Sequence, residues 1–305
     1  MYMPPAVPAS LRDLMAEIGP KWASNTSGHI KIMVEAYSEV LRTARDATAG
    51  MQEIRDAAYG RDDPRQVLDV YRPNDAATAP MALFLHGGAF TDGEKNRTPE
   101  IHANICRHFA RNGVIGINVE YRRAPDWTYP AGSHDVGLAV RWARENAPRL
   151  GGDASRIFII GSSAGAAHTG SYAYDARVQP PGGPGIAGHI VISGRVRADN
   201  RPDNPNARKV EAYYGSDAAR FDDLSPVTHV GPNSVPTMIA IAQYENPLID
   251  VYCAELFYRL AQAKGRASPF IRLSGHNHAS IHAHIGTAED RLGTELLQFI
   301  KNTVS

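Results

Sequence analysis

The stretch FIIGSSAGAAHTGS, residues 158–171, passes from bulky apolar residues into a cluster of small ones and then into a small-residue run with helical character. Gly161-Ser162-Ser163-Ala164-Gly165 within it fits G-x-S-x-G, a strand-turn-helix in which the central serine takes a strained turn and the glycines let backbone segments pack closely. Ser163 is the expected nucleophile and Ser162 a spacer. An ordinary Ser/Gly loop would read much the same as a pentapeptide. The context separates the two, because RIFIIG before the motif is a strand pattern and AGAAHTGS after it suits a helix.

Working outward, short apolar runs recur from Val67 onward: QVLDVYRP, MALFLHGG, GVIGINVEY, RIFIIG, HIVISG, TMIAIAQY and PFIRLSG. Between most of them lies enough chain for a helix, as in HDVGLAVRWARENA and VYCAELFYRLAQAKG. Nearly continuous apolar strands with helical crossovers indicate a parallel sheet covered on both faces. Residues 10 to about 60 read instead as helical with no clear strand: Leu11, Leu14 and Ile18 share one face, and Ile30, Val34, Tyr37 and Leu41 share another. QPPGGPG (179–185) and RPDNPN (201–206) read as surface loops, since strand texture resumes after each.

Composition narrows the function classes. The chain of 305 residues is 43% hydrophobic, enough for a large core, and its 32 Lys plus Arg balance 32 Asp plus Glu. No global field favours nucleic acid or an anionic membrane, so a small-molecule partner is expected. The first residues, MYMPPAVPASLRDLMAEIGPKW, lack a basic region followed by an apolar one, and no run is long and apolar enough to span a bilayer. The default expectation is a cytoplasmic protein. Cys106 and Cys253 have no metal-type spacing and read as core thiols.

A serine hydroxyl needs a base, and the oxyanion it creates needs fixed donors. LFLHGGAF puts His86, Gly87, Gly88 and Ala89 at the end of an earlier strand, where amides can approach a ligand without Cβ obstruction. The amides of Gly87, Gly88, Ala89 and Ala164 are the candidate oxyanion hole. His86 reads as a residue that shapes this loop, and Asp135 as one that packs near a helix start.

Taken together, QVLDVYRP, LFLHGGAF, NVEYRRAP, YPAGSHDVGLAVRW and GGDASRIFIIGSSAGA resemble the hormone-sensitive-lipase-like and carboxylesterase branch of the α/β-hydrolase superfamily, including its arylformamidase-like and feruloyl-esterase-like members. The resemblance runs from about residue 65 to the C-terminus. It implies an α/β-hydrolase fold: a mostly parallel, eight-stranded sheet with helices on both faces, a catalytic domain over 61–305, and a helical cap over 1–60. It also implies a triad in the order serine, acid, histidine. The common His-Gly-Gly-Gly of the family ends here in Ala89, whose Cβ takes acyl-pocket space and favours a small acyl group.

The histidine should follow the last strand, and FIRLSGHNHASIHAHIG offers His276, His278, His282 and His284. The resemblance favours His278, which ends a Gly-x-x-His turn, with His276 as the alternative base. His282 and His284 read as helix-surface or pocket-rim residues. A metal cluster lacks a grouped carboxylate or thiol, so neither metal nor cofactor is expected. For the acid, Glu245 follows TMIAIAQY directly, although Asn246 intervenes before the Pro-Leu of the family pattern. Asp250 is the alternative, better explained as a carboxylate at a helix start. The expected chemistry is cleavage of carboxylic esters of small or medium acyl groups through an acyl-enzyme. An amidase, in particular an arylformamidase, would use the same residues. Hormone receptors on this scaffold, which lose the triad histidine, form a third and non-catalytic class. A homo-oligomer stays open.

Overall fold

A computed structural model describes residues 2–44 and 46–303. In chain order, helices α1 (Ala9–Ile18) and α2 (Thr26–Arg42) precede strands β1 (Met51–Ala58), β2 (Val67–Pro73) and β3 (Ala79–Leu85). Then follow α3 (Ala103–Arg111), β4 (Ile115–Val119), α4 (Ala131–Leu150), β5 (Gly152–Ser162), α5 (Ala164–Tyr174) and β6 (Gly188–Ile192). The chain continues with α6 (Ala207–Tyr214), α7 (Phe221–Leu224), β7 (Thr237–Tyr244), α8 (Ile249–Lys264), β8 (Phe270–Asn277), α9 (Ser280–Ala283) and α10 (Leu292–Asn302). Among the described residues, no helix is long and apolar enough to cross a membrane.

The eight strands form one sheet in the order β1-β2-β4-β3-β5-β6-β7-β8. The β1/β2 and β2/β4 pairs are antiparallel and the remaining pairs parallel. Strand alternation explains the continuous apolar runs, because successive side chains enter different cores on the two faces. In β5, Ile157 and Ile159 pack with Val136, Ala139 and Leu256 on one face. Phe158 and Ile160 pack with Phe109, Leu296 and Ile300 on the other. Each such side chain, fully enclosed, contributes about 1.5–3 kcal/mol. Cys253 belongs to the first core and Cys106 to the second, both as free buried thiols.

The expectation of an all-helical segment from 10 to about 60 is corrected by β1. Helix α2 ends at Arg42, and Met51–Ala58 is the edge strand of the sheet, so the sheet begins inside the range 1–60 assigned to a cap. Its sequence, MQEIRDAA, lies mostly outside the core and carries charge, as edge strands do, and therefore shows no apolar run. The pairing with β2 shifts between Ile54 and Ala57, where Asp56 adopts φ 51°. Of the expected faces, Leu11, Ile18, Val34, Tyr37 and Leu41 are buried and Leu14 and Ile30 partly so; with Met15 they join a core completed by Ile101, Ala279 and Ala283.

Candidate active site

Strand β5 ends at Ser162 and helix α5 begins at Ala164, which leaves Ser163 as the turn between them, at φ 52° and ψ −118°. A non-glycine residue in this region is strained, and the surrounding packing enforces the strain. A Cβ on Gly165 would lie 2.4 Å from the Leu85 carbonyl oxygen, so the helix start packs directly on the end of β3. Ser162 is buried, whereas Ser163 is half-buried and opens onto a cleft of about 550 Å³.

The loop after β3 stands beside this serine. A methyl group at Gly87 would fall 2.8 Å from Ser163 Cβ and 3.5 Å from its Oγ. Gly88 has φ +145°, and a Cβ there would collide with the Asp92 carbonyl oxygen at 1.8 Å, so glycine is required at this bend. Ala89 and Phe90 continue at φ 50° and 73°. Among the described residues, the amides of Gly88 and Ala89 donate to no protein acceptor.

His86 holds the loop from beneath. It is fully buried and stacks on Tyr121 at 4.4 Å between ring centroids. Its Nδ1 and Nε2 lie 2.7 Å from the Gly87 carbonyl oxygen and 3.1 Å from Glu120 Oε1. Burial pushes the Glu120 carboxyl up, but hydrogen bonding to His86, the Lys95 amide and the charge of Arg65 outweigh it and hold the group at about 2. Asp135 packs inside the first turns of α4, fixed by Gln66 and by the Arg122 amide and guanidinium.

His278 immediately follows β8, and its amide donates to the Tyr244 carbonyl at 3.0 Å. Its Nδ1–H donates to Glu245 Oε2 at 2.5 Å, and the residue lines the same cleft as Ser163. Glu245 Oε1 accepts from Ser193 Oγ at 2.5 Å and from the Ala242 amide at 2.7 Å. Both partners of the pair are nearly enclosed, with side chains 7% and 4% exposed, so water competes little with their contact.

The alternatives separate from this cluster. Asp250 is exposed in the first turn of α8, where Oδ1 accepts from the Val251 amide at 2.9 Å. His276 faces Ser280 Oγ at 3.1 Å and stacks on His284 at 4.2 Å beside a different cavity, which Tyr37 and Asp290 also line. His282 lines the Ser163 cleft but is itself largely buried. His284 does not sit on a helix surface or the cleft rim. It is 1% exposed, because its Nδ1–H donates to the Ser280 carbonyl at 2.8 Å and its Nε2 faces the amides of Arg291 and Leu292.

Two residues of the site carry no legible signal in the sequence, and a third carries an indirect one. Ser193, at φ 48°, orients Glu245 from the end of the neighbouring strand β6. Asn277 Oδ1 accepts from the amides of Ala279 and Ser280 at 3.1 and 2.9 Å and so shapes the turn that carries His278. Asn246, the residue that departs from the family pattern, accepts from Trp22 Nε1 at 2.8 Å and ties the N-terminal helices to the acid-bearing loop. The departure itself was the available signal.

A strained serine between strand and helix, beside a glycine bend and sharing a cleft with a carboxylate-bound histidine, lies at the carboxyl ends of a parallel sheet, where the G-x-S-x-G turn of a hydrolase fold places it. The chain belongs to the alpha/beta hydrolase fold family, whose match extends over residues 82–282. It is 32% identical to Esterase LipC of Mycobacterium tuberculosis (strain ATCC 25618 / H37Rv) over 242 residues, 73% of this chain and 59% of that protein. It is 28% identical to the gibberellin receptor GID1 of Oryza sativa subsp. japonica over 221 residues, 70% of this chain and 56% of the receptor. It therefore spans between half and three-fifths of the length of these relatives. A solved Pyrobaculum calidifontis esterase matches with a TM-score of 0.70 and 21% identity, covering 97% of this chain and 98% of that one, a likeness of fold.

Proposed function

We propose that this protein is a serine hydrolase that cleaves carboxylic esters with small or medium acyl groups. The observation that carries the reading is the enclosed Glu245–His278 hydrogen bond of 2.5 Å, whose histidine opens on the same cleft as the strained Ser163. Because Glu245 accepts a hydrogen bond from Nδ1–H, the proton of the neutral imidazole stays on Nδ1 and Nε2 is unprotonated, the tautomer a general base needs. Ser163 Oγ attacks the ester carbonyl while His278 Nε2 takes its proton, and Glu245 stabilises the imidazolium. The amides of Gly88, Ala89 and Ala164, with Gly87 shaping their approach, receive the oxyanion, each donor supplying about 3–4 kcal/mol of transition-state stabilisation. His278 then gives the proton to the departing alcohol, leaving an acyl group on Ser163. Water, deprotonated by His278, attacks that acyl carbonyl, and Ser163 leaves with the proton returned.

The Cβ of Ala89 at the glycine bend supports a preference for short acyl groups. Helices α1 and α2 act in this reading as a cap, since Ile30 and Val34 of α2 border the cleft. The likeness to a hormone receptor favours a second reading, a small-molecule receptor, against which the intact set of Ser163, Glu245 and His278 weighs. A fluorophosphonate probe separates the two. Labelling of the wild type and none of Ser163→Ala is expected, together with hydrolysis of acetyl and butyryl esters. An unlabelled wild type without esterase activity returns the receptor reading.

A further inference from the structure

Arg195 lies three residues beyond β6, and its amide donates to the Ser163 carbonyl at 2.9 Å, which ties its backbone to that of the nucleophile. The residue is 2% exposed and borders the same cleft as Ser163 and His278, yet its Nη1 is enclosed with no acceptor. Among the described residues, no carboxylate lies within ion-pair distance of it. Asp199, which acts on Arg195 electrostatically, already accepts from the Tyr252 hydroxyl, from Asn204 Nδ2 at 3.1 Å and from the Arg201 amide at 3.2 Å. The Tyr252 hydroxyl also interacts with the guanidinium, so Asp199 reaches Arg195 only through this tyrosine, whose ring lies 5.4 Å from the guanidinium carbon.

Arg122, also nearly buried, shows the usual solution, with Asp135 held at 2.8 Å from its Nη2. A buried charge with no carboxylate in direct contact is costly for a fold to carry. Burial pushes the Arg195 guanidinium below the ordinary arginine range, but arginine stays charged at physiological pH. The other cations of the cleft differ: Lys209 is neutralised by Asp92 at 2.6 Å, and Arg97 is exposed at the mouth, where solvent screens it as it screens Glu94.

We propose that the cleft selects esters that carry a carboxylate near the scissile carbonyl, with Arg195 binding that carboxylate beside Ser163. This specificity rests on the serine hydrolase reading above. A planar guanidinium matches a carboxylate in a charge-assisted pair, and in an enclosed site that pair is strong. The bound substrate thus supplies the direct carboxylate partner that Asp199, held behind Tyr252, does not.

Two matched pairs of esters test it. Monoethyl succinate against the ethyl ester of succinamic acid puts the carboxylate on the acyl side, and para-acetoxybenzoate against para-acetoxybenzamide puts it on the leaving group. In at least one pair, kcat/KM of the wild type should favour the anion by roughly ten- to a hundredfold, chiefly through KM. Arg195→Met should collapse that ratio and Arg195→Lys should recover part of it. Should the methionine variant not fold, protection of the wild type from fluorophosphonate by succinate but not by succinamide reports the same contact. A wild type that prefers the neutral member of both pairs, or an unchanged ratio in Arg195→Met, overturns the inference while labelling of Ser163 keeps the hydrolase reading. A wild type that is neither labelled nor active on any of the four esters overturns that reading, and this inference with it.

Discussion

At the scale of single residues, the proposed site divides into groups assigned to act on substrate and groups that hold them. Ser163→Ala should lower kcat by roughly a millionfold, as in a serine protease whose nucleophile is removed. Its half-buried side chain contributes little to packing, so the melting temperature should not fall. Normal turnover by Ser163→Ala would overturn the nucleophile assignment. Glu245→Gln keeps the shape of the side chain but offers an amide where His278 needs an acceptor. The comparable change in a serine protease costs about ten-thousandfold in kcat, and a loss of that order is expected here. Asp250→Asn, on the exposed first turn of α8, should alter kcat less than threefold and act mainly through the helix dipole, worth about 0.3–1 kcal/mol. Both variants assayed on one short ester decide the matter, and the reverse ranking would remove Glu245 from its role.

At the scale of elements, the N-terminal helices meet the acid loop through one hydrogen bond and the base-bearing turn through a packed face. Asn246→Ala leaves Trp22 Nε1, in a residue 1% exposed, without its acceptor, which should cost about 1–3 kcal/mol in urea unfolding. A change below a few tenths would show that water replaces the acceptor. Helix α2 bounds the cleft with Ile30 and Val34, so Ile30→Trp should narrow it. The ratio of kcat/KM for hexanoyl over acetyl esters is expected to fall by about tenfold, since a few methylenes are worth that much in an apolar pocket. Equal effects on both esters would mean that α2 does not shape the acyl site.

At the scale of the whole molecule, the buried histidines dominate the acid response. Burial lowers the pKa of His168, His189, His282 and His284 to about 3, and that of His102 well below 6.5, with neighbouring charges as smaller causes for all but His189. Unfolded histidines bind protons at about 6.5, so on acidification the unfolded state takes up protons first. The stability these neutral rings confer is complete above about pH 6.5 and is lost as the pH falls toward 3, at up to about 1.4 kcal/mol per pH unit for each ring. Glu120, held at about 2, contributes stability that is complete above its unfolded value of about 4.5 and lost only as the pH falls toward 2. The melting temperature should therefore begin to drop below pH 6.5, before carboxylates titrate. A flat profile from pH 7 to 4.5 would show that these rings are solvated.

The parts legible in the sequence are those whose physics is local. Continuous apolar strands announce a sheet covered on two faces, and the glycines at 161 and 165 announce the turn at Ser163, because the steric demand and the residues that meet it lie within a few positions. Residues joined across the sheet are a different matter. Between β7 and β8 the register passes from Ala242↔Leu273 to Tyr244↔Asn277, so β8 carries extra residues at this step. That irregularity, invisible in a one-dimensional pattern, brings His278 to Glu245 and leaves His276 against Ser280. The charged edge strand β1 reads as nothing until β2 pairs with it. Arg195 is one arginine among many in the sequence, and only its enclosure beside Ser163 without a carboxylate makes it a feature of the site. Tertiary structure decided these points because burial and pairing are set by segments far apart in the chain, whereas backbone sterics are set by neighbours.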